Sequence, residues 1–145
     1  VPGPPGAQDG LWDTKTGARI TGSNLDGVRM GMPSFSPDGT KIAHVQTNTG
    51  SLAVWSFDMA TAKAGAETVL LPKGSGAPIS WPSVTPDAKW IVYHRGDLDT
   101  RNGNADLFLA SATTPNQEIR LGKLDGDGYP FAAGSRLAIS GTTPP

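Results

Sequence analysis

Pro33-Ser34-Phe35-Ser36-Pro37-Asp38-Gly39-Thr40-Lys41-Ile42-Ala43-His44-Val45 returns 49 residues later as Pro82-Ser83-Val84-Thr85-Pro86-Asp87-Ala88-Lys89-Trp90-Ile91-Val92-Tyr93-His94. In both copies a Pro-Asp pair sits between two apolar-rich runs. Proline presets φ at the first corner of a turn, and Asp holds the turn by accepting from nearby backbone amides. Each copy therefore reads as two strands joined by a tight hairpin. A reduced third copy, Tyr129-Pro130-Phe131-Ala132-Ala133-Gly134-Ser135-Arg136-Leu137-Ala138-Ile139-Ser140, follows about one period later without the Pro-Asp pair. Repeats of this length, dense in turns and short strands, point to propeller blades rather than to a fold built around one catalytic centre.

Outward from the first copy, Gly10 to Ile20 gives a short strand, a polar turn and a second short strand, the outer half of a blade. Val28 to Phe35 leads into the first hairpin, Lys41 to Gln46 follows it, and Leu52 to Phe57 makes a third strand. Ala60 to Glu67 reads as a loop or weak helical turn, and Thr68 to Leu71 as the fourth strand. The second unit runs Pro78 to Val84, Lys89 to His94, Asp106 to Ser111 and Glu118 to Leu121. Ala88 stands where the first copy has Gly39, so a left-handed corner there costs on the order of 1 kcal/mol.

The expected architecture is all-β, with propeller-type four-stranded antiparallel blades, two complete and two partial. A propeller normally needs at least four blades to close, so the chain is incomplete as a single toroid. It is expected to be a piece of a larger propeller or to be completed by assembly, including a homo-oligomer joined through its terminal half-blades. Residues 1–9 read as a Pro/Gly linker or mature N-terminal arm, 10–141 as the blades and 142–145 as a C-terminal tail.

Twelve Lys and Arg against thirteen Asp and Glu leave a net charge of −1 over 145 residues. That removes the electrostatic footprint of a nucleic-acid or anionic-membrane partner. The absence of Cys excludes disulfides, thiolate metal sites and Cys nucleophiles. Apolar runs such as Trp90-Ile91-Val92-Tyr93 are too short to span a bilayer as a helix. The opening Val1-Pro2-Gly3-Pro4-Pro5 has neither a basic nor an apolar signal region.

Candidate chemistry is sparse. His44 and His94 are the two histidines available as bases. They are not repeat equivalents, because one period from His44 lies Tyr93; each is expected to fill or edge a sheet face. No Gly-x-Ser-x-Gly elbow is present. The repeated Asp38 and Asp87 read as turn residues, not as a catalytic pair. The stretch from Asp97 to Asp106 offers Asp97, Asp99, Asn102 and Asp106 as oxygen donors for Ca²⁺. Arg101 stands where a third ligand of an EF-hand loop belongs, and turns use the same residue types. Asp125-Gly126-Asp127-Gly128 is a weaker version of the same idea. Trp12, Trp55, Trp81 and Trp90 are expected to pack between blades.

Ser36-Pro37-Asp38-Gly39-Thr40-Lys41-Ile42-Ala43, together with Asp106-Leu107-Phe108-Leu109, resembles the Pro-Asp repeat of TolB-type β-propellers. The resemblance implies a bacterial, periplasmic or secreted, WD-like repeat domain that binds other proteins without catalysis or a cofactor. It also allows an accessory propeller of a peptidase or glycan-active enzyme. A Ca²⁺-stabilised carbohydrate-binding module is the third reading, and it rests on the Asp97 to Asp106 loop.

Overall fold

In a computed structural model that describes residues 10–96 and 105–123, the described chain is all strand and turn. A hairpin of β1 (Leu11–Trp12) and β2 (Arg19–Ile20) comes first. Its turn is fastened by Asp13, whose Oδ1 accepts from the amides of Lys15 and Thr16. Two four-stranded antiparallel sheets follow. The first takes β3 (Met30–Phe35), β4 (Lys41–Gln46), β5 (Leu52–Asp58) and β6 (Lys63–Leu71) in sequence order. The second takes β7 (Ile79–Val84), β8 (Trp90–Arg95), β9 (Asp106–Ser111) and β10 (Glu118–Lys123) in the same order. These are two complete blades of the propeller type. The third sequence copy, the Asp125 to Gly128 stretch, and residues 1–9 and 142–145 lie outside the described residues.

The Pro-Asp hairpins are built alike. In the first, Ser36 Oγ donates to Asp38 Oδ1 at 2.6 Å and accepts from the Lys41 amide at 2.9 Å, while Asp38 Oδ1 accepts from the Thr40 amide at 3.0 Å. In the second, Thr85 Oγ1 donates to Asp87 Oδ1 at 2.6 Å and accepts from the Trp90 amide at 3.0 Å, and Asp87 Oδ1 accepts from the Lys89 amide at 3.1 Å. A Ser or Thr hydroxyl two residues before the Asp thus completes the turn. Gly39 and Ala88 both adopt positive φ, +72° and +54°.

A second shared device was not expected from the sequence. The β3–β4 register slips between Gly31 and Ser34, and the β7–β8 register slips between Ser80 and Ser83. At each slip one bulky residue, Met32 or Trp81, takes φ +51° just before a proline. Bulges of this kind bend a strand and re-aim a side chain. The two bulges touch, the Trp81 amide donating to Met32 Sδ at 3.1 Å. Strands β3 and β7, each an edge strand of its sheet, therefore lie against each other.

Alternation along β4 divides the core. Ala43 and Val45 join Val54, Leu70 and Leu71 against Ile79, Val84, Ile91, Tyr93 and Ala110 of the second sheet. Ile42 faces the other way, into a smaller cluster with Leu25, Phe57 and Ala64, edged by Leu11, Met30 and Trp55. One face of the first blade is thus sealed by the second blade. Its opposite face meets the β1–β2 hairpin and the loop before β3.

The stretch from Ala60 to Glu67, read as a loop or weak helical turn, is corrected. Strand β6 begins at Lys63 and pairs Lys63 with Asp58 and Ala64 with Phe57. The Ala-Gly-Ala composition lacks strand propensity, so packing decides. Ala64 is buried, its amide donates to the Ser23 carbonyl at 2.8 Å, and its carbonyl accepts from Asn24 Nδ2 at 2.7 Å. The tryptophans expected between blades are placed in part: Trp55 packs with Leu11 of the β1–β2 hairpin around the smaller cluster, and the Trp81 backbone meets Met32 of the first blade. The buried core between the two described blades is mainly aliphatic, with Tyr93 in it and Phe108 packed against it, whereas Trp55 packs on the opposite face of the first blade.

Candidate functional site

On the face of the first blade turned away from the second, β4 contributes His44 and Gln46, β5 contributes Trp55 and β6 contributes Glu67. Strand pairing brings them together: Ile42 lies opposite Trp55, and Trp55 opposite Glu67. His44 shares the face of Ile42 because strand side chains alternate. It is 1% exposed, with Nε2 at 2.8 Å from Glu67 Oε1 and 2.9 Å from Trp55 Nε1. Gln46 Nε2 donates to the second carboxylate oxygen of Glu67 at 2.9 Å, and Gln46 Oε1 accepts from Thr49 Oγ1 at 2.6 Å.

Burial holds His44 below the ordinary imidazole range, and the Glu67 carboxylate pulls it partly back. One ring nitrogen cannot accept from an indole and donate to a carboxylate at the same time. The charge-assisted bond to Glu67 is the stronger of the two. The site is therefore a carboxylate held by an imidazole and a neutral amide, with an indole beside it. A cleft of about 440 Å³ opens over these four side chains, bordered by Val28, Arg29 and Asn48.

The second blade carries the same construction. Tyr93 and Arg95 stand one period after His44 and Gln46, and Glu118 occupies the register position of Glu67, since Ile91 pairs with Ala110 and Ala110 with Glu118. The Tyr93 hydroxyl donates to Glu118, and Arg95 Nε donates to the same oxygen at 2.7 Å. Burial, reinforced by Glu118, pushes the Tyr93 phenol well above its usual range. The Arg95 guanidinium lies 5.8 Å from the Tyr93 ring centre and 5.9 Å from that of Phe108. A ring on the second strand, a polar chain two residues on and a Glu on the fourth strand thus recur in both blades.

His94, the other candidate base, is buried opposite Ser80 on β7, and burial lowers its pKa. Among the described residues neither histidine hydrogen-bonds a Ser or Thr hydroxyl. The Ser36 hydroxyl is the largest cause holding the Asp38 carboxyl down to about 2, and the Thr85 hydroxyl lowers that of Asp87. Both carboxylates are turn ligands. Of the proposed calcium donors, Asp97, Asp99 and Asn102 lie outside the described residues. Asp106 is held by Arg120, which donates Nη2 to Oδ1 at 2.9 Å and Nε to Oδ2 at 3.0 Å. Gln46, Trp55 and Glu67 were not singled out by the sequence as a site. The signal that finds them is strand register, because Glu67 and Glu118 are not one period apart.

No protein-family model matches the chain, and comparison with curated proteins finds no match. Among solved structures, the chain is similar to a luciferin-regenerating enzyme at 9% identity and TM-score 0.48, covering 62% of this chain and 28% of that one. It is also similar to TolB from Acinetobacter baumannii at 26% identity and TM-score 0.37, covering 65% of this chain and 21% of that one. The chain thus spans less than a third of the length of either structure.

Proposed function

We propose that the chain is a TolB-like propeller segment acting as a non-enzymatic protein-binding or scaffolding module, in the periplasm or outside a bacterial cell. The observation that carries this reading is the uneven covering of the first blade. Among the described residues, one of its faces is closed by a full sheet, while the other meets the β1–β2 hairpin and presents a cleft over Trp55, His44 and Glu67. Clefts that combine an aromatic anchor with a few fixed polar groups are where binding energy concentrates. Strand β6 ends its sheet, so an extended segment of a partner can add along its outer edge between Ala64 and Leu70, whose own outward groups are already taken by Ser23, Asn24 and Asn116. The compartment follows from the Pro-Asp repeat resemblance alone.

The test is a peptide-display selection against the folded chain, followed by amide-exchange footprinting. Binders that protect β4 to β6 and are lost in Trp55→Ala support the reading. A selection that returns only binders indifferent to Trp55→Ala overturns it.

A further inference from the structure

The two blades treat the same carboxylate differently. In the second, Glu118 is neutralised from within its own sheet, because Arg95 reaches it at 2.7 Å with its guanidinium beside two aromatic rings. In the first, the position of Arg95 is taken by Gln46, which offers Glu67 an uncharged amide. Tyr93 pairs with Phe108 across the strands, whereas His44 pairs with Ala53. The aromatic surface reappears one pair along, where Trp55 takes the register position of Ala110. Among the described residues, the first blade therefore keeps the carboxylate and an aromatic wall but lacks the cation. The cleft lies over this vacancy in the pattern.

We propose that the cleft receives the guanidinium of an arginine side chain presented by a partner protein segment, with Glu67 as counter-charge and the Trp55 indole as stacking surface. Guanidinium suits the site better than ammonium because its planar fork can pair with a carboxylate while lying on an aromatic face. Among the described residues lining the cleft, Glu67 is the one acidic side chain, and Arg29 is the one Lys or Arg, alongside His44. Arg29 is exposed and makes no side-chain hydrogen bond or ion pair among the described residues, so it is free to swing away from the mouth. Only the source of the arginine rests on the protein-binding reading above. The recognition chemistry stands on the comparison of the two blades.

The geometry also supplies a reporter. The Trp55 indole N–H points at His44 Nε2, which is engaged with Glu67. A guanidinium that draws on Glu67 changes what that ring nitrogen can accept, and the indole proton registers the change.

The experiment titrates the ¹⁵N-labelled chain with N-acetyl-arginine amide and follows the Trp55 indole signal, using N-acetyl-citrulline amide as the uncharged control of similar shape. Saturable binding with a Kd on the order of 1 mM, absent for citrulline, is expected. Glu67→Gln should weaken it by about tenfold or more, as loss of a charged hydrogen-bond partner does. Gln46→Arg should abolish it while keeping the fold, because the chain's own arginine then fills the site as Arg95 does in the second blade. That variant keeps the test decisive even if Glu67→Gln unfolds. Absence of a saturable shift, equal binding of citrulline, or undiminished binding in Gln46→Arg overturns the proposal. Binding seen only in Arg29→Ala does so as well, because it makes Arg29 the resident occupant. Arginine-amide binding without any selected peptide would leave this inference standing and remove the protein-binding reading.

Discussion

The Trp81 amide donates to the Met32 sulfur at 3.1 Å, so two residues one full repeat apart hydrogen-bond each other. Both sit at the tip of a bulge, with the same φ of +51°. A left-handed conformation is costly for bulky side chains, roughly 1–2 kcal/mol each. Two such residues held by equivalent bulges indicate that the surrounding strands, not local preference, impose the shape.

Met32→Leu removes the acceptor while nearly conserving volume, a swap that usually costs less than about 1.5 kcal/mol. The Trp81 amide should then exchange faster with solvent, whereas the Ser36 and Thr85 amides, which donate to Lys41 and Trp90 carbonyls, keep their protection. Equal loss of protection at all three sites would mean that the sulfur contact has no separate role.

Substitutions at the two Pro-Asp corners should give unequal results. Gly39→Ala puts a Cβ at φ +72°, 2.7 Å from Met59 Cγ. Met59 is exposed and can move, so the remaining cost is backbone strain of about 1–2 kcal/mol. Ala88→Gly relieves strain of that kind, but its methyl is buried in the core between the blades and contributes about 0.8 kcal/mol. Chemical denaturation should therefore show a clear loss for Gly39→Ala and a change near zero for Ala88→Gly.

Acid should weaken both hairpins. The Asp38 carboxyl is held at about 2 in the fold against 3.8 as its ordinary value, and that of Asp87 is also lowered. The folded state thus binds protons less readily, and the turn contribution is complete above pH 3.8 and is lost as pH falls through about 2. In the double variant Asp38→Asn/Asp87→Asn, the slope of Tm against pH in this window should flatten. A slope equal to that of the parent would place the acid sensitivity elsewhere.

A second pH window belongs to His94. Burial lowers its pKa from 6.5, so the unfolded chain takes up a proton that the folded chain resists. Its contribution is full above pH 6.5 and declines as pH falls below that value toward the folded pKa. Thermal melts of His94→Asn between pH 7 and about pH 5 should lose less Tm on acidification than melts of the parent chain. His44 shifts in the same direction through burial, with Glu67 opposing the shift.

The parts that were legible in the sequence are those decided locally. Pro37-Asp38 and Pro86-Asp87 specify their turns through side chains within a few residues, and the strands flanking them fall where alternation places them. The equivalence of His44 and Tyr93 also follows from the period. The Met32 and Trp81 bulges were hidden because nothing in a Met or a Trp invites a left-handed backbone. The start of β6 was hidden because partners 40 residues or more away in sequence, Asn24 and Ser23, satisfy its backbone. Glu67 was missed for a related reason, since its place opposite Trp55 is set by pairing across two strands and by a register slip between Trp55 and Phe57.

The sequential order of strands within each blade bears on how the chain folds. Every strand pair inside a sheet joins chain neighbours, and most are connected by short turns. Closing each pair therefore costs little loop entropy, and the strands of a blade can assemble as successive hairpins. Contacts between the blades span a whole repeat and come later in that order. Docking of one finished sheet on the other is then the slow event.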